Sequence, residues 1–193
     1  AETGALNPNA ALVCQLSGTD GLSTWRECAA AVAQLVGGFA AADRAGRLVI
    51  RPFAAAACAA LGPGDRSEAG ISDLRCHYAA LSIETADGRF AAGNEQDSGL
   101  TMTITEMPLA EKGLPEMRAQ IAEHLFAVLQ KLDYTPATVT MPGDPAFEPG
   151  DRVALPMEDG TAPEMLVTHF VWRYRGRQTL KGVGRNPYLG GTT

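Results

Sequence analysis

The densest set of chemically capable residues in the chain is Asp144, Glu148 and Asp151, all within the stretch GDPAFEPGD at positions 143–151. Two carboxylates this close can act as the acid and the base or nucleophile of a glycosidase, and several oxygen donors in one loop can hold Ca²⁺. The spacing fits neither pattern well. A Ca²⁺ loop of the helix–loop–helix type needs oxygen ligands at alternating positions and a Glu at the twelfth, whereas Pro145 and Pro149 stiffen this loop. The structural reading is a pair of Asx-type turns, with each Asp side chain accepting from a backbone N–H.

The three histidines, His77, His124 and His169, fall in three separate predicted elements. A zinc site wants short-spaced ligands such as H-x-x-x-H or C-x-x-C, and none occurs. His124 sits beside the apolar stripe of a helix and reads as a helix-flank or interface residue; His169, in a strand with Phe170 and Trp172, reads similarly. Cys14, Cys28, Cys58 and Cys76 show no metal-ligand spacing. Buried, reduced thiols are the expectation, although an even number leaves disulfides open. Ser17-Gly18-Thr19-Asp20-Gly21 is too short for a phosphate loop and lacks its Lys, and Gly182-Val183-Gly184 lacks the rest of a dinucleotide fingerprint. There is no G-x-S-x-G elbow. The sequence therefore predicts no catalytic, cofactor-binding or metal-binding residue, and a protein that is not an enzyme.

A basic run, Arg173, Arg175, Arg177, Lys181 and Arg185, closes the chain's patterned part. Alternate residues of a strand share a face, so the arginines before the turn line up. They either solvate an edge and discourage strand pairing, or form a face for an acidic protein or polysaccharide.

Whatever these side chains do, a fold must position them. A chain of 193 residues makes one compact domain or two small ones and buries a core without disulfide staples. Its apolar fraction of 46% and charged fraction of 20% are those of a globular protein. A net charge of −6 argues against a sequence-independent nucleic-acid binder, which needs a basic face. No apolar run reaches the length of a membrane span, and the opening lacks the pattern of a signal peptide. The chain begins AETG without Met and closes GGTT, which predicts a processed chain or a piece of something longer.

The first part, residues 1–62, reads as a helix plus a hairpin. Thr24 with Glu27 three residues on makes a capping box. Trp25, Cys28, Ala29, Val32, Leu35 and Val36 follow at helical spacing, predicting one buried face, and Gly37-Gly38 stops the helix. Phe39 to Ala42 and Leu48 to Phe53 flank Asp43-Arg44-Ala45-Gly46, a hairpin signal. Ala54 to Leu61 is Ala-rich and reads as helical. Gly62-Pro63-Gly64-Asp65 is the strongest breaker cluster and the predicted boundary.

The second part, residues 63–193, reads as β-rich with one long helix. Strands are predicted at Tyr78 to Glu84, Arg89 to Ala92 and Leu100 to Ile104, the last with strict alternation. Pro115 opens a helix whose stripe is Met117, Ile121, Leu125, Val128 and Leu132. Strands follow at Thr138 to Met141, Arg152 to Leu155, Met165 to Tyr174 and Gln178 to Val183. Arg175-Gly176-Arg177 marks the last hairpin, which reads as an exposed edge. The alternative to two parts is one combined domain, and the class is α+β with small, mostly antiparallel β-domains and two packed helices.

The order of these segments resembles the hub and baseplate proteins of phage and prophage tails. The likeness runs from about Leu22 to Gly184 through TWRECAAAVAQLVGGFAAADRAGRLVIRPF, then ADGRFAAG…GLTMTITEMPL, then the helix, Tyr134-Thr135-Pro136 and GDPAFEPGD. Glu106-Met107-Pro108 departs from the family's usual Asn before Pro. The resemblance implies small, barrel-like β-domains, commonly trimeric around the tail axis, in proteins usually longer than this chain. It implies a structural module of the virion tail, made in the bacterial cytoplasm, whose partners are other tail and baseplate proteins. It carries over no catalytic residue. Trp172 and Tyr174 would be apolar anchors of the interface, and Arg173, Arg175 and Arg177 its charged contacts; alternatively the aromatics are core and the arginines solvate an edge. A tail-associated cell-wall hydrolase stays open, needing a cleft that joins Asp144 or Asp151 to another acid. So does a secreted or surface adhesion module, needing paired cysteines.

Overall fold

The computed structural model describes residues 7–14, 22–43, 45–53, 56–111, 115–173 and 176–182. After a 3-10 turn at Pro8–Ala11 come α1 (Trp25–Leu35), β1 (Gly38–Ala42), β2 (Leu48–Pro52), β3 (Ala57–Ala60) and β4 (Glu68–Ile71). The middle holds β5 (Cys76–Thr85), β6 (Gly88–Gly93), β7 (Leu100–Ile104), α2 (Pro108–Glu111) and α3 (Pro115–Leu129). The rest is β8 (Asp133–Tyr134), β9 (Ala137–Pro142), β10 (Arg152–Ala154), β11 (Glu164–Leu166), β12 (His169–Arg173) and β13 (Arg177–Gly182).

These elements form two compact units that interleave along the chain. One comprises Ala1–Pro52 and Tyr78–Lys131, the other Phe53–His77 and Leu132–Thr193. A single boundary at Gly62-Pro63-Gly64-Asp65 is not what is seen. That cluster makes a local turn inside the second unit, with Asp65 N–H donating to Gly62 O at 3.0 Å and Gly62 N–H to Asp65 Oδ2 at 2.9 Å. Turn chemistry marks a reversal of the chain, not which distant strands will pair.

In the first unit, α1 begins as its capping box requires. Thr24 Oγ1 accepts from Glu27 N–H at 3.2 Å, and Glu27 Oε2 accepts from Thr24 N–H at 2.8 Å. These bonds and the Ser23 hydroxyl, the largest cause, hold the Glu27 carboxyl below its ordinary pKa. Gly37 ends the helix at φ 69°, a conformation that suits glycine. The expected apolar face of α1 is only partly buried: Leu35 and Val36 are covered, but Trp25 is 90% exposed and Val32 37%. Ala31 and Ala33 are buried instead, because small side chains let the last turns dock closely, which a pattern of large apolar residues does not register. β1 and β2 pair antiparallel, and Asp43 closes their turn by accepting from the N–H groups of Ala45 and Arg47. β5 lies between antiparallel β6 and parallel β7. β7 buries Met102 and Ile104 and exposes the threonines between, as its alternation predicts. α3 starts at Pro115 and buries Ile121, Leu125 and Leu129, while Met117 and Val128 are half-buried.

In the second unit, one sheet runs β11-β10-β3 and another β12-β13-β9-β4, and β8 pairs with the first two residues of β5. Their shared core centres on Val139, Leu155, Met165, Val167 and Leu180, all at 0% exposure. The segment expected to be helical at Ala54 to Leu61 forms β3 over its described residues, parallel to β10, with Leu61 N–H donating to Ala154 O at 2.9 Å. Pairing with a distant strand overrides alanine's local helix preference.

The fold is α+β with mostly antiparallel strands, as expected; only β3–β10 and β5–β7 are parallel among the described pairs. Among the described residues the sheets do not close into barrels. Closure requires terminal strands to pair with each other, and β12 and β4 end their sheet without doing so. A short helix, α2, joins the two that were expected.

Candidate interaction surface

The last hairpin is built as Arg175-Gly176-Arg177 predicts, with Gly176 at φ 92°. Its two strands differ in role. β12 is an edge strand, but β13 lies inside the sheet between β12 and β9, so only half of the expected exposed edge is one. Along β13 the residues Gln178, Leu180 and Gly182 are buried, whereas Arg177 and Lys181 are exposed.

Register assigns the faces of β12. Phe170 pairs with Leu180 and Trp172 with Gln178, so both aromatics lie on the core side. Arg173 pairs with Arg177 on the solvent side. Trp172 remains 45% exposed at the rim, with its ring over Gly143; a Cβ at Gly143 would stand 2.5 Å from Trp172 Cζ3. Tyr174 and Arg175, the other two expected interface residues, lie outside the described residues.

The acidic loop beneath this rim is made of turns. Asp144 Oδ1 accepts from Ala146 N–H at 2.9 Å, and Asp151 Oδ2 from Glu148 N–H at 2.8 Å. The Asp144 bond is the Asx-type contact expected of it, whereas Asp151 closes its turn on the N–H three residues before it. Gln178 Oε1 accepts from Asp144 N–H at 3.0 Å, and Phe147 is buried in the core.

Among the described residues, no group of three His, Cys, Asp or Glu is placed to hold a metal ion. His77 is exposed on β5, and His169 Nδ1 lies 2.8 Å from Thr168 Oγ1. His124 Nδ1 lies 2.8 Å from Asn9 Oδ1. The four cysteines are free thiols, but only Cys76 is buried. Cys14 and Cys28 are half-buried and Cys58 is at the surface, correcting the expectation of four buried thiols. Partial desolvation, then the Asp151 charge, push the Cys58 thiol above its ordinary pKa, which makes it a poorer nucleophile.

Two polar constellations were not legible in the sequence. Asn9, 1% exposed, donates through Nδ2 to the carbonyl oxygens of Leu35 at 2.9 Å and Ile121 at 3.3 Å. In the second unit, a groove of about 570 Å³ holds Arg75, Asp133, Arg152 and Glu164. Arg75 grips Asp133 with two bonds, Nε–Oδ1 at 2.7 Å and Nη2–Oδ2 at 2.5 Å. Arg152 Nη2 reaches Asp133 O at 2.6 Å and Glu164 Oε2 at 2.5 Å. The bond from Arg75 holds the Asp133 carboxyl below its ordinary value and raises Arg75 in turn. Each of the groove's two acids is paired with an arginine, Asp133 with Arg75 and Glu164 with Arg152.

No family's sequence pattern matches the chain, and no curated protein matches it. Two solved structures similar to it are a tail protein and a virion baseplate. It is similar to the tail protein from Neisseria meningitidis MC58, with 16% identity, a TM-score of 0.45 and coverage of 86% of this chain and 56% of that one. It is also similar to the p2 virion baseplate in its activated conformation, with 11% identity, a TM-score of 0.27 and coverage of 82% and 53% respectively. The chain thus spans about half the length of these neighbours.

Proposed function

We propose that this chain is a structural module of a phage or prophage tail hub or baseplate, working through protein–protein assembly in the virion tail. The observation that carries the assembly reading is the β12 edge, where Val171 is 43% exposed, Trp172 is 45% exposed and Arg173 stands opposite Arg177. An uncovered strand edge is a template for another chain, and large aromatics and arginines dominate interface energetics. The order of turn-defined segments along the sequence supports the tail attribution. The chain has no reaction of its own in this reading, with trimers around the tail axis as the assembled form.

The test is to tag the chain in the genome that encodes it, purify particles and locate the tag by mass spectrometry and immunogold labelling. The chain should appear at the tail tip in fixed ratio to baseplate proteins. Its absence from tail-bearing particles would overturn the proposal.

A further inference from the structure

On the solvent face of the sheet β12-β13-β9-β4, the strands β12 and β13 carry three cations, and the carboxylate of Glu68 lies on the same side two strands away on β4. Arg173 on β12 faces Arg177 on β13, and Lys181 lies four residues further along the same face of β13. Thr179 stands between Arg177 and Lys181, and Thr140 and Thr138 pair with Thr179 and Lys181 on the adjoining strand. Like charges directly opposite in a strand pair destabilise it. Among the described residues, no carboxylate pairs with these three side chains, whereas Arg47, Arg75, Arg89, Arg118 and Arg152 each hold one. The cations sit on a chain of net charge −6. Arg173 and Arg177 thus stand opposite each other on one face, each with a planar guanidinium fork that can take a carboxylate bidentately.

We infer that this face docks an acidic, extended segment of a partner protein, an inference that rests on the assembly reading above and names the partner's chemistry. Three features fit such a segment. A strand of the partner can lie along β13, whose Arg177 and Lys181 are roughly 13 Å apart at strand rise, matching carboxylates four positions apart on one face of that strand. The intervening threonines give hydroxyls and small apolar surface rather than a barrier. A short acidic segment brings only as many charges as the face has cations, whereas a nucleic-acid duplex brings one phosphate charge per roughly 1.7 Å against a chain that is negative overall. Trp172 takes no part, because register places it on the opposite side of the sheet.

The experiment measures binding of a fluorescent oligoglutamate to the whole chain by anisotropy, at low and at physiological salt. Arg173→Glu with Arg177→Glu should weaken binding at least about tenfold, with native circular dichroism and melting retained. Lys181→Gln should weaken it less, and Arg26→Glu, on α1, should leave it unchanged. If the double reversal fails to fold, Arg173→Gln with Arg177→Gln replaces it. Oligoglutamate bound equally by the reversed and wild-type chains would overturn the inference. So would tighter binding of a DNA duplex of equal charge, or concentration-dependent self-association lost in the double variant, since the occupant would then be nucleic acid or a second copy. If the wild-type chain is missing from tails but binds oligoglutamate through these residues, the tail attribution fails and the acidic-partner face stands.

Discussion

Trp172 rests on Gly143, the first residue of the GDPAFEPGD loop, so the rim aromatic and the acidic turn are held by one close contact. Any side chain at position 143 must displace the ring, with a Cβ only 2.5 Å from Cζ3. Gly143→Ala is therefore expected to cost about 1–3 kcal/mol, the range for overpacking. It should also move Trp172 toward water. In a Trp25→Phe background, Trp172 is the remaining tryptophan, and its emission should shift to longer wavelength in the Ala variant. An unchanged spectrum and melting temperature would show that the ring does not sit there.

Asn9 clips the opening turn to two helices, since its one amide serves Leu35 O and Ile121 O while its oxygen faces His124. Asn9→Leu keeps the branched outline of the side chain but strips both carbonyls of this donor. A cost of about 1–3 kcal/mol is expected for groups left unsatisfied in a buried site. Asn9→Asp should be worse, because a carboxylate would face two carbonyl oxygens. Urea unfolding of the two variants checks the order; an Asp variant as stable as wild type would refute the clip.

The Arg75–Asp133 pair gives a pH signature. The Asp133 carboxyl is held below its ordinary value in the folded chain, first by the Arg75 hydrogen bond. A group with a depressed folded pKa binds fewer protons in the native state. Its contribution is complete above the unfolded value of about 3.9 and is lost as pH falls through the folded one. Arg75 is 75% exposed and Asp133 35%, so solvent screens the pair and Asp133→Asn should cost only about 0.5–1 kcal/mol near neutrality. The difference between wild type and variant in urea titrations should stay level from neutral pH to about pH 5 and shrink below about pH 4. A difference that grows on acidification has the wrong sign and would exclude the pair as its source.

What the sequence revealed of this fold was local. Thr24 and Glu27 lie three residues apart and find each other in any helix, so the capping box was readable. So were the Asp43 turn, the alternation of β7, the Asx contact of Asp144 and the turn bond of Asp151, each closed within a few residues. What escaped depended on distant partners. β3 is a strand only because β10 comes to lie beside it. Asn9 matters because Leu35 and Ile121 bring their carbonyls to it, and Arg75 meets Asp133 across 58 positions. The side of the sheet that Trp172 occupies follows from register, and a slip of one residue would reverse it. For the interface, strand alternation in the sequence already puts Trp172 and Arg173 on opposite faces, but only the pairing with β13 shows which of the two is the core side.

The same distinction can be tested on the two helices. Leu125 on α3 and Val32 on α1 are both apolar residues in a helical stripe, and the stripes alone predict that both are buried. Leu125 is 1% exposed, and Val32 is 37% exposed on a face shared with Trp25. Leu125→Asp would bury an unpaired carboxylate, a change among the most costly for a core, and its cost should exceed about 4 kcal/mol and abolish cooperative melting. Val32→Asp exchanges a partly covered methyl pair for a charge that reaches water, and should stay within about 1 kcal/mol of wild type. Circular dichroism melts of the two variants, run side by side, decide it. If Val32→Asp unfolds the chain as fully as Leu125→Asp, the Trp25–Val32 face of α1 is buried in the protein, and the orientation of that helix described above is wrong.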